Sequence, residues 1–492
     1  MREDWIECTL GELLSVSSGK GLTSKKMDGG IFPVYGGNGI TGYHSQHIFT
    51  EKKLIIGRVG VRCGVTHITQ KESWVTDNAL VITFKSSDFD IKFMKLKLEY
   101  ENLNKLSNST AQPVISGAKI YSHTISLAPL IEQKTIVKKI EELFNSLHSG
   151  IADLKKAQDQ LSIYRQAVLK KAFEGELTKE WREKQTNLPT SDELLIQIKE
   201  ERQKHYEEQL AEWKDAVKLW KSIGANDKKP AKPKFIKELI NLTKEELEKL
   251  PHLNNYWHWV KADKIASHEG SSLKAGPFGS SLKKEFYTES GFKIYGQEQV
   301  ISNNHRLGNY YVNQEKYDSL INCAIKPSDI LISLVGTVGK VLVLPEDSEA
   351  GIINPRLVKI SLNRFYESIF FKYYFESAFL KSIYSIKAHG ATMDILNLGI
   401  IKELPYPLCS KEEQNQIVRE IENRLSVCDK VEESIVESLK KAIALRQSIL
   451  KKAFDGKLLS EEEIEKCKAD KDYEPASVLL KKIKKEKLRK KK

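Results

Sequence analysis

The stretch of this 492-residue chain nearest to a phosphate-cradling loop is Gly336-Thr-Val-Gly-Lys340. Such a loop aims backbone N–H groups and a lysine at phosphate oxygens, and it needs Gly at 334 and Ser or Thr at 341. Leu334 and Val341 stand there instead, so the stretch reads as a turn between two strands. Asn354-Pro355-Arg356 lacks the second Pro and the aromatic residue of an Asn-Pro-Pro-aromatic methyl-transfer motif and reads as the start of a strand. The eleven histidines are scattered; His44/His47 and His252/His258 are the nearest pairs, and neither has the H-E-x-x-H spacing of a zinc hydrolase. With no G-x-S-x-G nucleophile and no DEAD-type helicase box, the chain reads as non-catalytic, with no metal and no cofactor of its own.

The loops do hold groups suited to DNA edges and phosphates. In the amino-terminal part these are Lys20, Lys25, Lys26, Asn38, Tyr43, His44, Arg58, Arg62, Asn108, Ser109 and Gln112. Farther along they are Ser280, Ser281, Lys283, Lys284, Gln297, Arg306, Lys387, His389 and Thr392. Lysine, serine and tyrosine donate to phosphate oxygens, and Arg, Asn and Gln pair bidentately with guanine or adenine. Polar loops occur in every folded chain. The DNA reading therefore depends on the elements that carry them.

Those elements are duplicated. Arg165-Gln-Ala-Val-Leu-Lys-Lys-Ala-Phe-Glu-Gly-Glu-Leu177 returns as Arg446-Gln-Ser-Ile-Leu-Lys-Lys-Ala-Phe-Asp-Gly-Lys-Leu458, nine of thirteen positions identical at an offset of 281. The offset extends back to Gln133/Gln414; before it, Pro129-Leu130 is echoed by Pro407-Leu408 with three residues inserted in the second copy. Apolar residues recur at steps of 3 and 4 in both copies. The first seam is Ile136, Ile140, Leu143, Leu147, Leu154, Leu161, Tyr164 and Val168; the second is Ile417, Ile421, Cys428, Val431, Ile435, Ala442, Leu445 and Ile449. One stripe each predicts two helices of about 40 residues, roughly 60 Å long, that serve as each other's partner. Gly175 and Gly456 stand where each pattern stops, as helix ends require.

The segments before the helices differ in type. Lys53-Leu-Ile-Ile56, Ala79-Leu-Val-Ile-Thr-Phe84, Asp329-Ile-Leu-Ile-Ser333, Lys340-Val-Leu-Val-Leu344 and Arg356-Leu-Val-Lys-Ile360 are strand signals, with helical patterns at 91–106 and 365–386. The fold class is α+β: two α/β domains separated by two long antiparallel helices in an intramolecular coiled coil, pseudo-twofold symmetric. Expected boundaries are 1–130 for the first domain, 131–180 for the first helical spacer and 181–255 for a charged helix with the basic linker Lys228-Lys-Pro-Ala-Lys-Pro-Lys234. The second domain follows over 256–408, the second spacer over 409–460, and a C-terminal segment that ends in the basic tail over 461–492.

Composition limits the function classes. Of the net charge of +12, the last twelve residues supply +8, so net charge alone does not point to nucleic acid. A solvated tail is the simplest reading of that segment. An apolar fraction of 40% excludes wholesale disorder. No apolar window of membrane-spanning length and no leader-like start occur, so a cytoplasmic protein is expected. The six cysteines lie far apart without a C-x-x-C pair, which predicts free thiols.

Pro129-Leu-Ile-Glu-Gln-Lys-Thr-Ile-Val137, Lys170-Lys-Ala-Phe-Glu-Gly175, Glu413-Gln-Asn-Gln-Ile-Val418, Lys451-Lys-Ala-Phe-Asp-Gly456 and Lys326-Pro-Ser-Asp-Ile-Leu-Ile-Ser333 with Gly336-Thr-Val-Gly339 form a specific combination. On these residues the chain resembles the DNA specificity subunit of type I restriction-modification systems over essentially its full length. The resemblance implies two target recognition domains, each reading one half of a split double-stranded DNA sequence. It implies helical regions that pack as a spacer and dock two modification (methyltransferase) subunits. The chemistry is then that of an adenine methyltransferase and ATP-dependent endonuclease complex, with AdoMet on the modification subunits and ATP and Mg on the restriction/translocase subunit. Two alternatives stand beside it: a self-contained DNA methyltransferase or nuclease, and a coiled-coil scaffold with two binding globules and no DNA role.

Overall fold

Short β-branched and aromatic runs between turn formers make the strands of the first globule: β1 (Ile6–Thr9), β2 (Leu14–Ser18), β3 (Phe32–Gly36), β4 (Gly39–His44), β5 (Leu54–Gly57), β6 (Thr66–Ile68), β7 (Trp74–Val75), β8 (Ala79–Phe84) and β9 (Thr124–Leu127). They hydrogen-bond in the orders β2-β8-β5-β6, β4-β3-β7 and β1-β9. β5 is apolar along its whole length because β8 and β6 flank it and both its faces are buried.

The second globule repeats this plan with β10 (His258–Val260), β11 (Leu273–Ala275), β12 (Phe292–Tyr295), β13 (Tyr311–Val312), β14 (Ile330–Ser333), β15 (Val341–Val343), β16 (Gly351–Ile353), β17 (Leu357–Ile360) and β18 (Tyr406–Leu408). Its orders are β11-β17-β14-β15, β13-β12-β16 and β10-β18, strand for strand those of the first. Asp329, before β14, accepts the Lys326 amide and the Ser361 hydroxyl, and burial pushes its carboxyl above the ordinary range.

This computed structural model describes residues 2–60, 62–107, 113–223, 229–235, 241–388 and 396–489, and it divides into two units, Met1–Ala157 with Ser434–Lys492 and Gln158–Glu433. The long helices Leu130–Phe173 and Lys411–Phe454 have 44 residues each and contribute to both units. In the first unit Ile136 and Ile140 share a core with Ile449, Leu450 and Phe454. In the second, Val168, Leu169 and Phe173 share one with Ile417 and Ile421. Within each unit the start of one helix meets the end of the other, so the pairing there is antiparallel. Gly175 and Gly456 end the helices at φ +76° and +75°.

The seam departs from expectation at particular residues. Ile435 is buried and Leu143, Leu147, Leu154 and Leu161 are half-buried, but Val431, Leu445 and Tyr164 are 41%, 51% and 45% exposed. In the second unit Arg165 occupies the seam and reaches Asp429 (2.6 Å) and Glu432 (3.0 Å), which leaves Val431 on the outer side. In the first, Leu445 lines an open apolar groove of about 820 Å3 with Leu147 and Leu154, because two helices alone cannot close around the stripe.

The expected three-residue insertion before the second helix is absent. Gln133 Nε2 donates to Ala128 O and Gln414 Nε2 to Cys409 O, both at 2.8 Å, and Ile6 and His258 pair with Leu127 and Leu408. The offset of 281 therefore holds through these strands, and Ser410 takes the place of Pro129. The helix expected over 365–386 is broken in two, Ser368–Phe375 and Ala378–Ala388. Ser377 causes the break: its hydroxyl bonds the Tyr374 carbonyl (2.6 Å) and caps the Leu380 amide (3.3 Å).

The charged helix runs over Ser191–Ser222 behind a Thr190/Glu193 capping box. Residues 229–235 of the basic proline stretch fold back along it, with Trp213 Nε1 donating to Pro230 O (3.0 Å) and Lys232 over the Trp213 ring. The expected solvated tail is packed at its start: in the helix Ala476–Arg489, Ala476, Leu479 and Leu480 before the tail and Ile483 within it are buried, and Lys484 pairs with Glu12 at 3.0 Å. All six cysteines are buried and free. No helix among the described residues is long and apolar enough to cross a membrane.

Candidate nucleic-acid interface

In the first globule the loops leaving β3, β5 and β7 meet and enclose a cleft of about 750 Å3. Parallel pairing brings them together: Val34 and Tyr35 of β3 run beside Trp74 and Val75 of β7, so both chains exit at the same end. The turn after β7, Thr76-Asp77-Asn78, is fixed by three backbone bonds. Thr76 N donates to Tyr35 O (2.8 Å), Ala79 N to Thr76 O (3.1 Å) and Arg58 N to Asn78 O (2.9 Å). Gly19 lies against it so closely that a Cβ would fall 2.2 Å from the Thr76 carbonyl oxygen, which requires glycine.

Asp77 and Asn78 are exposed, whereas Thr76 is buried and its hydroxyl, on the cleft wall, has no protein partner. An unpaired buried hydroxyl costs about 1–3 kcal/mol until a partner reaches it. The wall is thus prepared to bond a polar ligand.

The second globule builds the same frame. Asn354 N donates to Tyr295 O (2.9 Å), Leu357 N to Asn354 O (3.2 Å) and Leu334 N to Arg356 O (3.0 Å). A Cβ on Gly276 would fall 1.9 Å from the Asn354 carbonyl oxygen. Asn354-Pro355-Arg356 therefore occupies the turn between β16 and β17 as Thr76-Asp77-Asn78 occupies that between β7 and β8. Beside it Gln297 Nε2 donates to Ser333 Oγ (2.8 Å) and to Val335 O, and its Oε1 accepts Arg356 Nη1 at 3.4 Å.

Of the residues singled out in the sequence, Asn38 and Arg62 line the first cleft, and Lys25 and Lys26 stand in the 3-10 turn Ser24–Lys26 at its edge. Lys20 is exposed with its ammonium over Trp74 (5.6 Å), and Arg58 is half-buried, reaching Ser18 Oγ at 3.4 Å. Tyr43 and His44 are elsewhere: they pair with Pro33 and Phe32, at the end of the β3–β4 hairpin away from Gly36 and Gly39. His44 is held 3.1 Å from Asp28, whose carboxyl is drawn down to about 2, chiefly by the Ser45 hydroxyl.

In the second globule Gln297 joins the turn. Ser280 and Ser281 stand in the 3-10 turn Gly279–Leu282, with Lys283 and Lys284 after it, all exposed. Arg306 is engaged by Asp347 at 2.5 Å. Asn108, Ser109, Gln112, His389, Thr392 and the side chain of Lys387 lie outside the described residues.

Sequence reasoning passed over Thr76, Asp77, Asn78 and Arg356. Their signal is positional: each triplet follows a two- or three-residue buried strand and precedes the long inner strand of its sheet.

The family model for the type I restriction modification DNA specificity domain matches residues 2–155 and 278–441. The chain is 23% identical to the type I restriction enzyme EcoDI specificity subunit of Escherichia coli, across 98% of this chain and 95% of that protein. It is 24% identical to the EcoBI specificity subunit of the same species across 78% and 69%. Among solved structures, a chain from a study of complex assembly and conformational transition of the type I R-M system matches with a TM-score of 0.62 at 15% identity, covering 93% of this chain and 99% of that one. The HsdS subunit from Thermoanaerobacter tengcongensis matches with a TM-score of 0.50 at 16% identity, covering 93% and 98%. The two structures share the fold, and the family match spans both duplicated halves: the chain belongs to the type I restriction-modification DNA specificity family.

Proposed function

We propose that this chain reads a bipartite DNA target, one half-site per globule, and gives its sequence specificity to a type I restriction-modification complex. The observation that carries this is the repetition of one strand order and one backbone frame around different exposed side chains, Asp77 and Asn78 in one globule and Arg356 in the other. A constant frame with variable loops is the arrangement expected of two readers descended from one.

In this reading the helical regions receive two modification subunits, since a duplicated surface offers two equivalent docking sites. Adenine methylation with AdoMet belongs to those subunits, and ATP- and Mg-dependent translocation and cleavage to a restriction subunit. The chain itself contributes recognition and no catalytic group, and it acts in the cytoplasm. Its DNA affinity falls steeply with salt, as phosphate contacts require.

The test is methylome sequencing of cells that carry this chain with its modification subunits. A split adenine-methylated motif is expected. Replacing 256–408 with the corresponding domain of another family member should change one half of the motif and leave the other. A contiguous motif, or both halves changing together, overturns the reading.

A further inference from the structure

The equivalence of the two turns reaches further than their backbones. Both are clamped on three sides: by a tyrosine carbonyl of the parallel neighbour (Tyr35, Tyr295), by an amide of the loop after the inner strand (Arg58, Leu334), and by a glycine pressed against the first turn residue (Gly19, Gly276). The clamp uses main-chain atoms throughout, so it holds the turn in one geometry whatever side chains the turn carries. Position by position those side chains are unlike: Thr76 against Asn354, Asp77 against Pro355, Asn78 against Arg356. Rigid main chain with free choice of side chain is what a position that selects among bases needs.

Resting on the reading given above, we propose that these two turns read base edges in the two half-sites, Asp77 and Asn78 in the first and Arg356 in the second. Asp77 is exposed at the cleft, and among the described residues no cation is paired with it. A carboxylate facing a base edge can only accept, so it selects the exocyclic amino group of cytosine, while Asn78 beside it matches the donor and acceptor pair of adenine. Both choices demand an amino donor on the major-groove edge, which adenine and cytosine present there and guanine and thymine do not.

Arg356 has the opposite chemistry. Its guanidinium is exposed and carries only donors, which fit guanine O6 and N7 bidentately. Gln297, pinned by its amide to Ser333 Oγ and Val335 O, offers Oε1 to Arg356 Nη1 and orients the fork. Gln297 is thus a positioning residue, and Arg356 the specificity-determining one.

The experiment is methylome sequencing of cells carrying the complete complex with Asp77→Ala, Arg356→Gln or Arg356→Lys. Thermal unfolding of each purified complex checks that the exposed substitutions leave the fold intact. Asp77→Ala should relax one position of one half-site by about 10- to 100-fold in discrimination and leave the other half-site unchanged. Arg356→Gln should relax a guanine in the other half-site to a similar extent. Arg356→Lys keeps the charge but lacks the bidentate fork, so it should also relax that guanine while preserving the salt dependence of binding.

If Arg356→Lys retains the full motif, Arg356 contacts phosphate and its assignment fails. If Asp77→Ala leaves the motif and methylation level as they were, the first turn is not the reader. A wild-type complex that methylates no split motif sinks the functional reading itself, and that outcome is separate from variants that keep an intact split motif.

Discussion

Trp5 Nε1 donates to Glu132 Oε2 at 2.8 Å, joining the first strand region to the opening turn of the first long helix inside a fully buried pocket. Arg2 and Tyr473 complete the shell of this carboxylate, at 3.1 Å and 3.2 Å. Glu413, 281 residues later, is equally buried and takes Thr178 (2.7 Å) and Arg182 (2.6 Å). Each carboxylate ties a chain segment to the base of a helix. Glu132→Ala leaves the buried Trp5 indole N–H without its acceptor and takes the partner from the part-exposed Arg2, and should cost the first unit about 1–3 kcal/mol. Hydrogen exchange should show faster opening of 1–157 and 434–492 for Glu132→Ala, and of 158–433 for Glu413→Ala. A loss under about 1 kcal/mol in either unit would mean that water replaces the carboxylate at little cost.

The helix seam predicts a contrast between apolar and charged positions. Ile140 and Ile421 are buried in the cores of their units, and truncating either to Ala should cost about 2–5 kcal/mol. Arg165, partly exposed with two acidic partners, should cost no more than about 1 kcal/mol as Arg165→Ala. Denaturant unfolding of the three variants decides it. Equal costs would show that the ion pairs contribute as much to the seam as the isoleucines do.

Six buried thiols give a chemical readout of the same packing. Burial pushes Cys8 up to about 12 and Cys409 well above its ordinary value, and Glu12 and Glu413 add to the respective shifts. A thiol held protonated and out of solvent is a poor nucleophile. The native chain should therefore react slowly with a maleimide at neutral pH, and six equivalents should be taken up at once in denaturant. Rapid labelling of Cys8 or Cys409 in the folded protein would contradict this packing.

The helices were legible in the sequence because their signal is redundant: side-chain identity, apolar stripe and terminal glycine all coincide around Phe173 and Phe454. The strands were legible for a related reason, since Leu54-Ile-Ile56 and Ile330-Leu-Ile332 are buried on both faces and read as unbroken apolar runs. The turns at Thr76–Asn78 and Asn354–Arg356 were not. Their equivalence lies in main-chain bonds and in a close glycine contact, and these leave no shared side chain to find. Val431 was misplaced because a heptad drawn over forty residues drifts from the 3.6-residue turn and Arg165 takes the seam beside it, whereas Leu445 is on the stripe but lines the groove that two helices leave open.

Two half-buried histidines with a lowered pKa, His268 and His67, predict how acid acts on each unit. His268 has neither ring nitrogen hydrogen-bonded to protein; Glu201 lies 3.8 Å away, Arg202, His205 and Arg364 are its other charged or titratable neighbours, and burial, reinforced by Arg202, holds its pKa below the ordinary 6.5. His67 in the first unit is likewise lowered, by burial first and then Lys95. A base whose folded pKa is depressed stays neutral in the fold while the unfolded chain takes up a proton. Between the unfolded value of 6.5 and the lower folded value, the unfolded state binds more protons, so stability falls as pH falls through that window and levels off below it. Thermal unfolding followed from pH 8 to pH 5 should show this decline. His268→Gln should flatten it for the 158–433 unit and His67→Gln for the other, each read by hydrogen exchange within that unit. A slope unchanged by both substitutions would assign the acid sensitivity to the carboxylates instead.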